Sequence, residues 1–449
     1  MLRWFCFMRK ENGYSIMKKI FRIILMMLLV GAVGIGVVAC STPESPETEK
    51  VPESQEADLE IWTFYDRNVP GYYYMFLWDD IATAKGVTLD VKNYASDEME
   101  DKLELALVTG ELPDIFLTPG GSFLDGFIET GVCAPVDEYV EALNLTEEYS
   151  VPYQDGRYYE IPCMQTDYGV VYYDATLLAE MGLEIPKTWD ELEQMIADVN
   201  VYNEKNGTSY SAISFGDKDG YEGSLLLDMI SISEQVKQDS QIAEDPVMID
   251  AEVLQSSVEK LVRLSELGAF SEDYMETGDE EAVTNFIHHR SVMLVNHSAI
   301  LSHLIWNMRE DFYTGLFPGM YDTDGKYRMV KLDGDIRPGL CINASCDDKK
   351  LAGTLCTEYV RRVNEENLKS GCRALIEGSD IKAERLLERQ IEMNSLLDNA
   401  AGTVTAPSAQ QDSETRNMIR SLTKDLYSGQ SDAEAFMKAM EEAFRPSED

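Results

Sequence analysis

The stretch DGRYYEIPCMQTDYGVVYYDATLLAEMGLEIPKTWDE, residues 155–191, decides the fold because it contains a turn, two strand-like segments and the start of a new helix. Asp155-Gly156 is a turn dipeptide, and the Tyr158–Pro162 run after it is typical of a strand. Gly169–Tyr173 is dense in β-branched and aromatic residues, which predicts a buried strand. Thr188 and Glu191 then form the T-x-x-E capping box that begins a helix. We therefore predict that one α/β unit ends in this stretch and that another begins.

The segments on both sides of this stretch alternate strands with helices. Before it, Leu59–Phe64, Val87–Lys92 and Pro113–Leu117 are predicted strands with helical patterns between them. After it, Ser211–Phe215 is a further strand, and an apolar stripe over residues 254–264 predicts a helix. Such alternation predicts mainly parallel sheets flanked by helices, in which ligands bind beyond the carboxyl ends of the strands.

Length and charge narrow the class of protein. A chain of 449 residues suits two lobes better than one core. Residues 1–39 hold six Lys/Arg and one acidic residue, which leaves 32 basic and 80 acidic residues and a formal charge of −48 for residues 40–449. This balance argues against nucleic acid as a partner, because phosphate binding needs clustered Lys and Arg. Eight cysteines are too sparse for a disulfide scaffold and show no zinc-site spacing, so we interpret those after the leader as buried thiols.

The N-terminal region has the pattern of a leader followed by a tether. Basic residues from Lys18 to Arg22 precede an apolar run that ends in Val-Val-Ala-Cys at Cys40. This resembles a bacterial lipoprotein signal, which implies that residues 1–39 are removed and that the Cys40 thiol is lipidated; residues 1–16 are interpreted as an upstream extension. A plain transmembrane anchor is the alternative, since about 17 apolar residues just span a bilayer. Residues 40–57 are rich in Pro, Glu and Ser and are predicted to be a disordered acidic tether.

Several segments resemble one protein family. Pro186–Leu192 reads PKTWDEL, Gly110–Phe116 reads GELPDIF, and Gly131–Val140 contains PVDEY. With the Tyr-Tyr-Asp strand end before Pro186, they resemble the extracellular solute-binding proteins of ATP-driven (ABC) importers, in the branch that includes the maltose-binding proteins. The chain departs from the family pattern at His289-Arg290, where the family has Gly-Lys, and at Asn296-His297-Ser298, which replaces the usual loop.

The resemblance implies a two-lobed α/β fold of the periplasmic-binding-protein type (type II), with discontinuous lobes joined by hinge crossovers. The first lobe is expected to comprise residues 58–165 and 298–340, and the second lobe residues 166–297 and 341–449. The chain is expected to cross near residues 164–168, 295–298 and 338–342. The implied partners are a small solute, the permease subunits of an ABC importer and a membrane reached through the lipid anchor, with the protein itself a monomer.

Motifs for catalysis and metal binding are absent from the sequence. It contains no H-E-x-x-H, G-x-S-x-G, Walker or Rossmann motif. Asp322–Lys326 lacks the ligand positions of a calcium loop and is interpreted as a hairpin turn. The four histidines include an adjacent pair, and two adjacent ring nitrogens on a regular helix cannot face one metal ion. We therefore predict a protein without cofactor or metal that is not an enzyme.

Aromatic and polar residues at predicted strand ends and crossovers are the candidate ligand contacts. Flat rings can stack on the apolar faces of sugars, while carboxylates and amides pair with hydroxyl groups. The resemblance implies in addition that a carboxylate on the first crossover accepts hydrogen bonds from a sugar. The candidates are Trp62, Tyr65, Asp66, Arg67, Asp167, Tyr168, Tyr221, Glu222, Asn296, His297, Trp306 and Arg337.

Two classes of function remain open at this level. The family resemblance, the leader and the missing catalytic motifs favour a membrane-tethered receptor that captures a sugar or oligosaccharide between two lobes. A surface hydrolase acting on carbohydrate is the alternative, and it would need two carboxylates facing each other across a cleft. Among receptors, polyamine or peptide ligands compete with carbohydrate, because acidic aromatic clefts also suit cations.

Overall fold

The computed structural model describes residues 57–65, 75–121, 123–218, 220–238, 251–332, 338–411 and 413–443. The predicted leader, the predicted lipidation site at Cys40 and the predicted tether up to residue 56 lie outside the described residues. The described residues from 57 onward lie in one compact unit. Among the described residues, no helix combines the length and the apolar character needed to cross a membrane.

Strands and helices alternate through much of the chain. The strands are β1 (Leu59–Tyr65), β2 (Leu89–Ala95), β3 (Ile115–Thr118), β4 (Glu160–Pro162), β5 (Tyr168–Asp174), β6 (Ser211–Ser214), β7 (Ser291–His297), β8 (Phe312–Gly315), β9 (Met329–Lys331), β10 (Gly339–Ile342) and β11 (Thr403–Thr405). The helices are α1 (Met75–Lys85), α2 (Ser96–Thr109), α3 (Phe123–Glu129), α4 (Asp137–Leu143), α5 (Ala175–Met181), α6 (Trp189–Asn206), α7 (Tyr221–Gln238), α8 (Ala251–Glu266), α9 (Asp279–Ile287), α10 (Leu301–Met308), α11 (Lys349–Lys369), α12 (Glu388–Asn399), α13 (Ser413–Tyr427) and α14 (Ala433–Ala443). Short 3₁₀ turns cover Glu147–Tyr149, Ser298–Ile300 and Pro407–Gln410.

The strands form two separate sheets. The first has the order β2-β1-β3-β10-β4, and the second has the order β11-β9-β5-β7-β6 with β8 paired to β5. β1 pairs in parallel with β2 and β3, whereas β10 runs antiparallel to β3 and β4. In the second sheet β5 runs antiparallel to β7, β8 and β9. The predicted two-lobed α/β fold is confirmed, but both sheets are mixed rather than mainly parallel.

Each sheet has its own hydrophobic core. In the first lobe, Ile61 of β1 and Leu340 of β10 are fully buried against Trp78 of α1. In the second lobe, Val171 of β5 and Leu294 of β7 are fully buried within a larger cluster. Two cores with separate helices are what a chain of this length needs, because a single core stops growing at about 250–300 residues.

The capping box predicted at the start of α6 is present. Thr188 Oγ1 accepts a hydrogen bond from the Glu191 amide at 3.3 Å, and Glu191 Oε2 accepts one from the Thr188 amide at 3.0 Å. Gly207, with φ of 68°, ends the helix in the left-handed conformation that favours glycine. The buried residues of this helix are Leu192, Met195, Ile196 and Val199, which share one face.

Sheet membership differs from the predicted lobe boundaries beyond residue 297. β8 and β9 pair with β5, so most of residues 298–332 pack with the second lobe rather than with the first. β10 lies between β3 and β4, and α11 packs on α1 and α4, so this part of the predicted second-lobe segment 341–449 belongs to the first lobe. The physical reason is strand pairing: β10 inserts into the gap between β3 and β4, which no local pattern in its four residues reveals.

The chain therefore passes between the sheets in three places. The first passage, residues 163–167 between β4 and β5, agrees with the predicted crossover. The second lies between β9 and β10, next to the crossing expected near residues 338–342. Residues 295–298, where another crossing was expected, end a strand of the second sheet. The third lies between Ile376, which bridges to Leu145 in the first lobe, and α12, which packs on β8.

All six cysteines within the described residues are free thiols. Five of them are buried: Cys133, Cys163, Cys341, Cys346 and Cys356. The interpretation of the cysteines as buried thiols is confirmed for these five, and Cys372 is partly exposed.

Candidate functional site

A cleft of about 1810 Å³ lies between the two lobes. The first lobe contributes Phe64 at the end of β1 and the loop Pro119–Gly121 after β3. The second lobe contributes Gly216 after β6 and His297 at the end of β7. These positions follow the carboxyl ends of parallel-paired strands, which is where ligands of α/β sheets bind. The volume exceeds that of a typical small-ligand pocket, about 300–1,000 Å³, and leaves room for an extended ligand.

Trp306 is the most exposed aromatic residue lining this cleft. Its side chain is 85% exposed, while Leu301, Leu304 and Met308 of the same helix α10 are buried and hold the helix against the second lobe. His303 lies one helical turn before Trp306 on the cleft side, and its partial burial lowers its pKa. An indole ring in this position offers a flat apolar surface to a bound molecule.

Asp167 lines the cleft, and its carboxylate ties the first passage to the end of β7. Oδ1 accepts hydrogen bonds from Ser298 Oγ at 2.6 Å and from the Ala299 amide at 3.0 Å, and Oδ2 lies 2.8 Å from His297 Nδ1. Burial acts to raise the pKa of Asp167, but the charge of His297 and these hydrogen bonds outweigh it and hold the pKa below its ordinary value. The arrangement joins β5 to β7 at the base of the cleft.

Tyr168 lines the cleft and connects the two lobes. Its hydroxyl group donates a hydrogen bond at 3.1 Å to Glu148 Oε1, and Thr166 Oγ1 donates to the same carboxylate oxygen. The Tyr149 hydroxyl accepts a hydrogen bond from the Thr166 amide at 3.1 Å. Burial and then the charge of Glu148 raise the pKa of Tyr168. Glu148 and Tyr149 belong to the first lobe, so these contacts span the first passage.

Tyr221 lies in the cleft wall with one face of its ring occupied. The Arg420 guanidinium lies 5.5 Å from the ring centroid, in the geometry of a cation–π contact. Arg420 and Arg416 are one turn apart on α13, and both line the cleft. Arg416 lies 3.7 Å from Glu100 of α2, an ion pair that reaches from the second lobe to the first.

Glu222 and Asn296 are buried behind the cleft wall, and the structure does not place them in its lining. Asn296 Nδ2 donates a hydrogen bond at 3.1 Å to Asp279 Oδ1, and Glu222 is also hydrogen-bonded to Asp279. Asp279, the first residue of α9, does line the cleft. The sequence analysis thus identified Glu222 and Asn296, which bind Asp279, but it did not identify Asp279 itself.

Trp62 is outside the cleft lining, although its neighbours Thr63 and Phe64 line it. Its indole Nε1 donates a hydrogen bond to Glu60 at 2.7 Å, and its ring meets Tyr94 edge-on at 5.3 Å. Position along the strand explains the difference, because Trp62 lies farther from the carboxyl end of β1 than Thr63 and Phe64 do.

The remaining sequence candidates are described only in part or not at all. Tyr65 is described through its backbone, which pairs with Ala95 of β2. Asp66, Arg67 and Arg337 lie outside the described residues. The structure therefore brings together Asp167, Tyr168, Tyr221, His297 and Trp306 from the sequence-predicted set.

Three kinds of cleft residue escaped sequence reasoning. They are the carboxylate Asp279, the α13 arginines Arg416 and Arg420, and the polar neighbours of Trp306, His303 and Asn307. The i, i+4 spacing of the two arginines was readable as one helix face, but nothing local showed that this face meets the first lobe. The described residues contain no group of three or more His, Cys, Asp or Glu side chains that could hold a metal ion.

Comparison with known proteins now adds to this geometry. Residues 69–246 match the family of bacterial extracellular solute-binding proteins. The predicted family resemblance is confirmed. This family consists of extracellular solute-binding proteins. No curated protein has a matching sequence.

Solved solute-binding structures share the fold. One comes from work on xylan utilization by the thermophilic bacterium Caldanaerobius polysaccharolyticus, with 20% identity, a TM-score of 0.71, and coverage of 86% of this chain and 100% of that chain. A chitin oligosaccharide binding protein has 17% identity, a TM-score of 0.69, and coverage of 86% and 97%. A sugar transporter protein of Bacillus licheniformis in complex with stachyose has 13% identity, a TM-score of 0.63, and coverage of 86% and 98%. At these identities the likeness establishes the fold alone.

Proposed function

We propose that this solute-binding protein is the receptor of an ABC importer and that its ligand is a sugar or oligosaccharide captured between the lobes. The observation that carries the proposal is Trp306, an indole 85% exposed in a cleft whose other walls are rich in polar groups. Exposing so large an apolar surface costs free energy in water, and a sugar ring stacked on it removes that cost. Carboxylates, amides and arginines around it supply partners for hydroxyl groups.

The similar structures support the choice of carbohydrate. They include the chitin oligosaccharide binding protein, the protein bound to stachyose and a sugar transporter of Arthrobacter chlorophenolicus with bound laminaribiose. The ligand of this chain is a separate question, because three relatives of one fold bind three different sugars. The size of the cleft favours an oligosaccharide over a monosaccharide.

A ligand panel tests this proposal. The full-length protein, purified in detergent, is titrated by calorimetry with xylotetraose, chitotetraose, stachyose, laminaribiose and spermidine, and products are analysed after prolonged incubation. We expect at least one saccharide to bind with a favourable enthalpy and to be recovered intact. Binding of spermidine with no response to any saccharide would overturn the carbohydrate assignment, and release of shorter sugars would show a hydrolase instead.

We further propose that Cys40 carries the lipid that holds this receptor on the outer face of the cell membrane. Several acyl chains hold a protein at a membrane far better than one chain does. The chain is expressed in a bacterial host with radiolabelled palmitate, with Cys6→Ala as the matched control. Cys40→Ala is expected to lose the label and remain unprocessed, while Cys6→Ala keeps the label. Label retained by Cys40→Ala would contradict lipidation at this cysteine.

A further inference from the structure

Glu222 and Asp279 form a pair of carboxyl groups. Glu222 is buried behind the cleft wall, and Asp279 is part of the wall. Glu222, in the first turn of α7, is 3% exposed, and the Gly216 amide donates a hydrogen bond to its Oε2. Its side chain is also hydrogen-bonded to Asp279, the first residue of α9. Asp279 is half-buried and lines the cleft, and Asn296 Nδ2 donates to its Oδ1 at 3.1 Å.

A direct hydrogen bond between two carboxyl groups requires a proton on one of them, because carboxylate oxygens only accept. Burial is the main cause that raises the pKa of Glu222 well above its ordinary value, and the charge of Asp279, the bond to it and the charge of Asp217 add to this rise. The Gly216 amide opposes it. Burial and the neighbouring carboxyl groups therefore favour the protonated form of Glu222, which can donate to Asp279.

The loop geometry fixes this arrangement. The Asp217 amide donates to the Tyr274 carbonyl at 2.9 Å, and the Lys218 amide donates to the Thr277 carbonyl at 3.1 Å. A Cβ atom on Gly216 would lie 2.6 Å from the Thr277 carbonyl oxygen, so the close approach of these two loops requires glycine. The amide that supports Glu222 and the first turn of α9 are thereby held in register.

We propose that Asp279 is the carboxylate that accepts hydrogen bonds from the hydroxyl groups of the ligand, and that Glu222 and Asn296 are the positioning residues that orient it. The inference rests on the proposed function of the cleft. A carboxylate has about four acceptor sites, so a ligand hydroxyl group can share Asp279 with other donors. Asp167, the carboxylate predicted for this role, instead holds His297, Ser298 and Ala299.

The pair makes ligand binding depend on the proton of Glu222. Asp217, Asp279 and Tyr427 are the titratable groups that act on it, and all three lie on elements packed around it. Loss of this proton at alkaline pH places two negative charges side by side, breaks the hydrogen bond and turns Asp279 away from its orientation. Affinity is therefore expected to fall on the alkaline side in the wild-type chain and not in Glu222→Gln, which keeps an N–H donor.

Calorimetry with xylotetraose, chitotetraose, stachyose and laminaribiose on the full-length chain tests the role of Asp279. Asp279→Ala is expected to weaken the saccharide that binds wild type by roughly 5- to 150-fold, and Asp279→Asn, which keeps one acceptor oxygen, by less. Glu222→Ala is expected to weaken binding as well, with partial rescue by Glu222→Gln. Asp228→Asn, a buried carboxyl change outside the cleft lining, is the matched control with unchanged affinity.

An infrared measurement tests the carboxyl pair without any ligand. Because the pKa of Asp228 is raised to about 7, the comparison is made in the Asp228→Asn background. At about pH 8, where ordinary carboxyl groups are ionised, Asp228→Asn is expected to show a protonated-carboxyl band that Asp228→Asn combined with Glu222→Gln lacks. A band of equal strength in both variants overturns the shared proton. Equal sugar affinity of wild type and Asp279→Ala overturns the role of Asp279 alone. If no saccharide binds wild type, the proposed function and this role of Asp279 fall together, whereas the infrared result still decides the pair.

Discussion

Trp306 combines high exposure with a helix that is firmly held by its opposite face. Replacing Trp306 with Ala is expected to leave the melting temperature nearly unchanged, because the side chain buries little surface in the free protein. Sugar affinity is expected to fall by about 1–2 kcal/mol, or roughly 5- to 30-fold, through lost stacking. Calorimetry measures the affinity and a thermal melt measures stability.

Trp62 provides the matched control for that variant. Trp62→Phe changes an indole that bonds to Glu60 and lies outside the cleft lining. It is expected to leave sugar affinity within about twofold of wild type and to lower stability slightly through the lost hydrogen bond. A loss of affinity equal to that of Trp306→Ala would mean that the ligand reaches the first-lobe strand ends instead.

Asp228 makes stability depend on pH near neutrality. It is buried in α7, and although Ser408 donates to both of its oxygens, burial raises its pKa to about 7. Because this folded-state pKa exceeds the unfolded value of about 3.9, its contribution to stability is complete in acid and is lost as pH rises through about 7. The melting temperature of wild type is therefore expected to fall between about pH 5 and pH 8 relative to Asp228→Asn. Parallel slopes for the two proteins would contradict this assignment.

Individual side chains were predictable as neighbours of the cleft and not in their roles. Asp167 lies in the cleft lining because strand ends and crossovers meet at one edge of a sheet, whereas Trp306 lies there on α10 of the second lobe, although residues 298–340 were assigned to the first lobe. Glu222 and Asn296 were predicted to contact the ligand, but they are buried behind the cleft lining and bind Asp279. A polar residue near a strand end can face either the ligand or a second polar group. Only the packing of α7 against β7 decides which one it faces.

At the scale of elements, the junction of β5 and β7 depends on Asp167. Asp167→Ala removes the acceptor for Ser298 Oγ and for the Ala299 amide and leaves His297 without its carboxylate. The free energy of unfolding is expected to fall by about 1–3 kcal/mol, because partly buried donors lose their partner. Urea titration measures the change, and Ser298→Ala, which removes one of these bonds, is expected to lose less.

The pH dependence of this junction has the opposite sign to that of Asp228. The pKa of Asp167 lies below its ordinary value in the folded protein, so its contribution is present above the unfolded pKa of about 3.9 and is lost as pH falls through the folded value. Wild type is expected to lose more stability in acid than Asp167→Ala does. A constant difference between the two proteins down to about pH 3 would contradict the ionic character of the junction.

Local sequence signals predicted the helices and strands better than they predicted which strands pair with each other. The capping box of α6 involves only Thr188 and Glu191, and Gly207 directly follows the last residue of the helix. Both features are present in the structure. β10 is four residues long, and nothing within Gly339–Ile342 states that it inserts antiparallel between β3 and β4. The same holds for β8, whose pairing with β5 keeps the chain in the second lobe.

At the scale of the whole molecule, the cleft between the lobes is expected to narrow around its ligand. Groups from both lobes line it, and a site built from two lobes is complete only when they approach each other. X-ray scattering of the full-length chain in detergent matched to the solvent density is expected to show a smaller radius of gyration with a saturating saccharide. At the same saccharide concentration the Trp306→Ala variant is only partly occupied by ligand. Its radius of gyration is therefore expected to decrease less.

An unchanged radius with a sugar that calorimetry shows to be saturating would contradict closure. In that case the ligand would bind one lobe alone, and variants of the first-lobe lining, such as Phe64→Ala, would bind as wild type does. The two-lobed architecture itself was predictable from length and from the change of pattern at residues 155–191. The third passage was not, because it follows from packing contacts over long sequence distances.

The insertion of β10 also constrains how this protein is made. Thr118 and Cys341 are in contact although they lie 223 positions apart in the sequence, so the first sheet stays incomplete until most of the second lobe has been synthesised. Until β10 has been synthesised, which is after residues 168–332 of the second lobe but before β11 and the last three helices, β3 presents an unpaired edge, which is the feature of a strand that promotes aggregation. A chain that folds from its N-terminus as it emerges therefore needs either delayed folding or a chaperone that shields this edge, and no fragment ending before residue 339 can complete the first lobe.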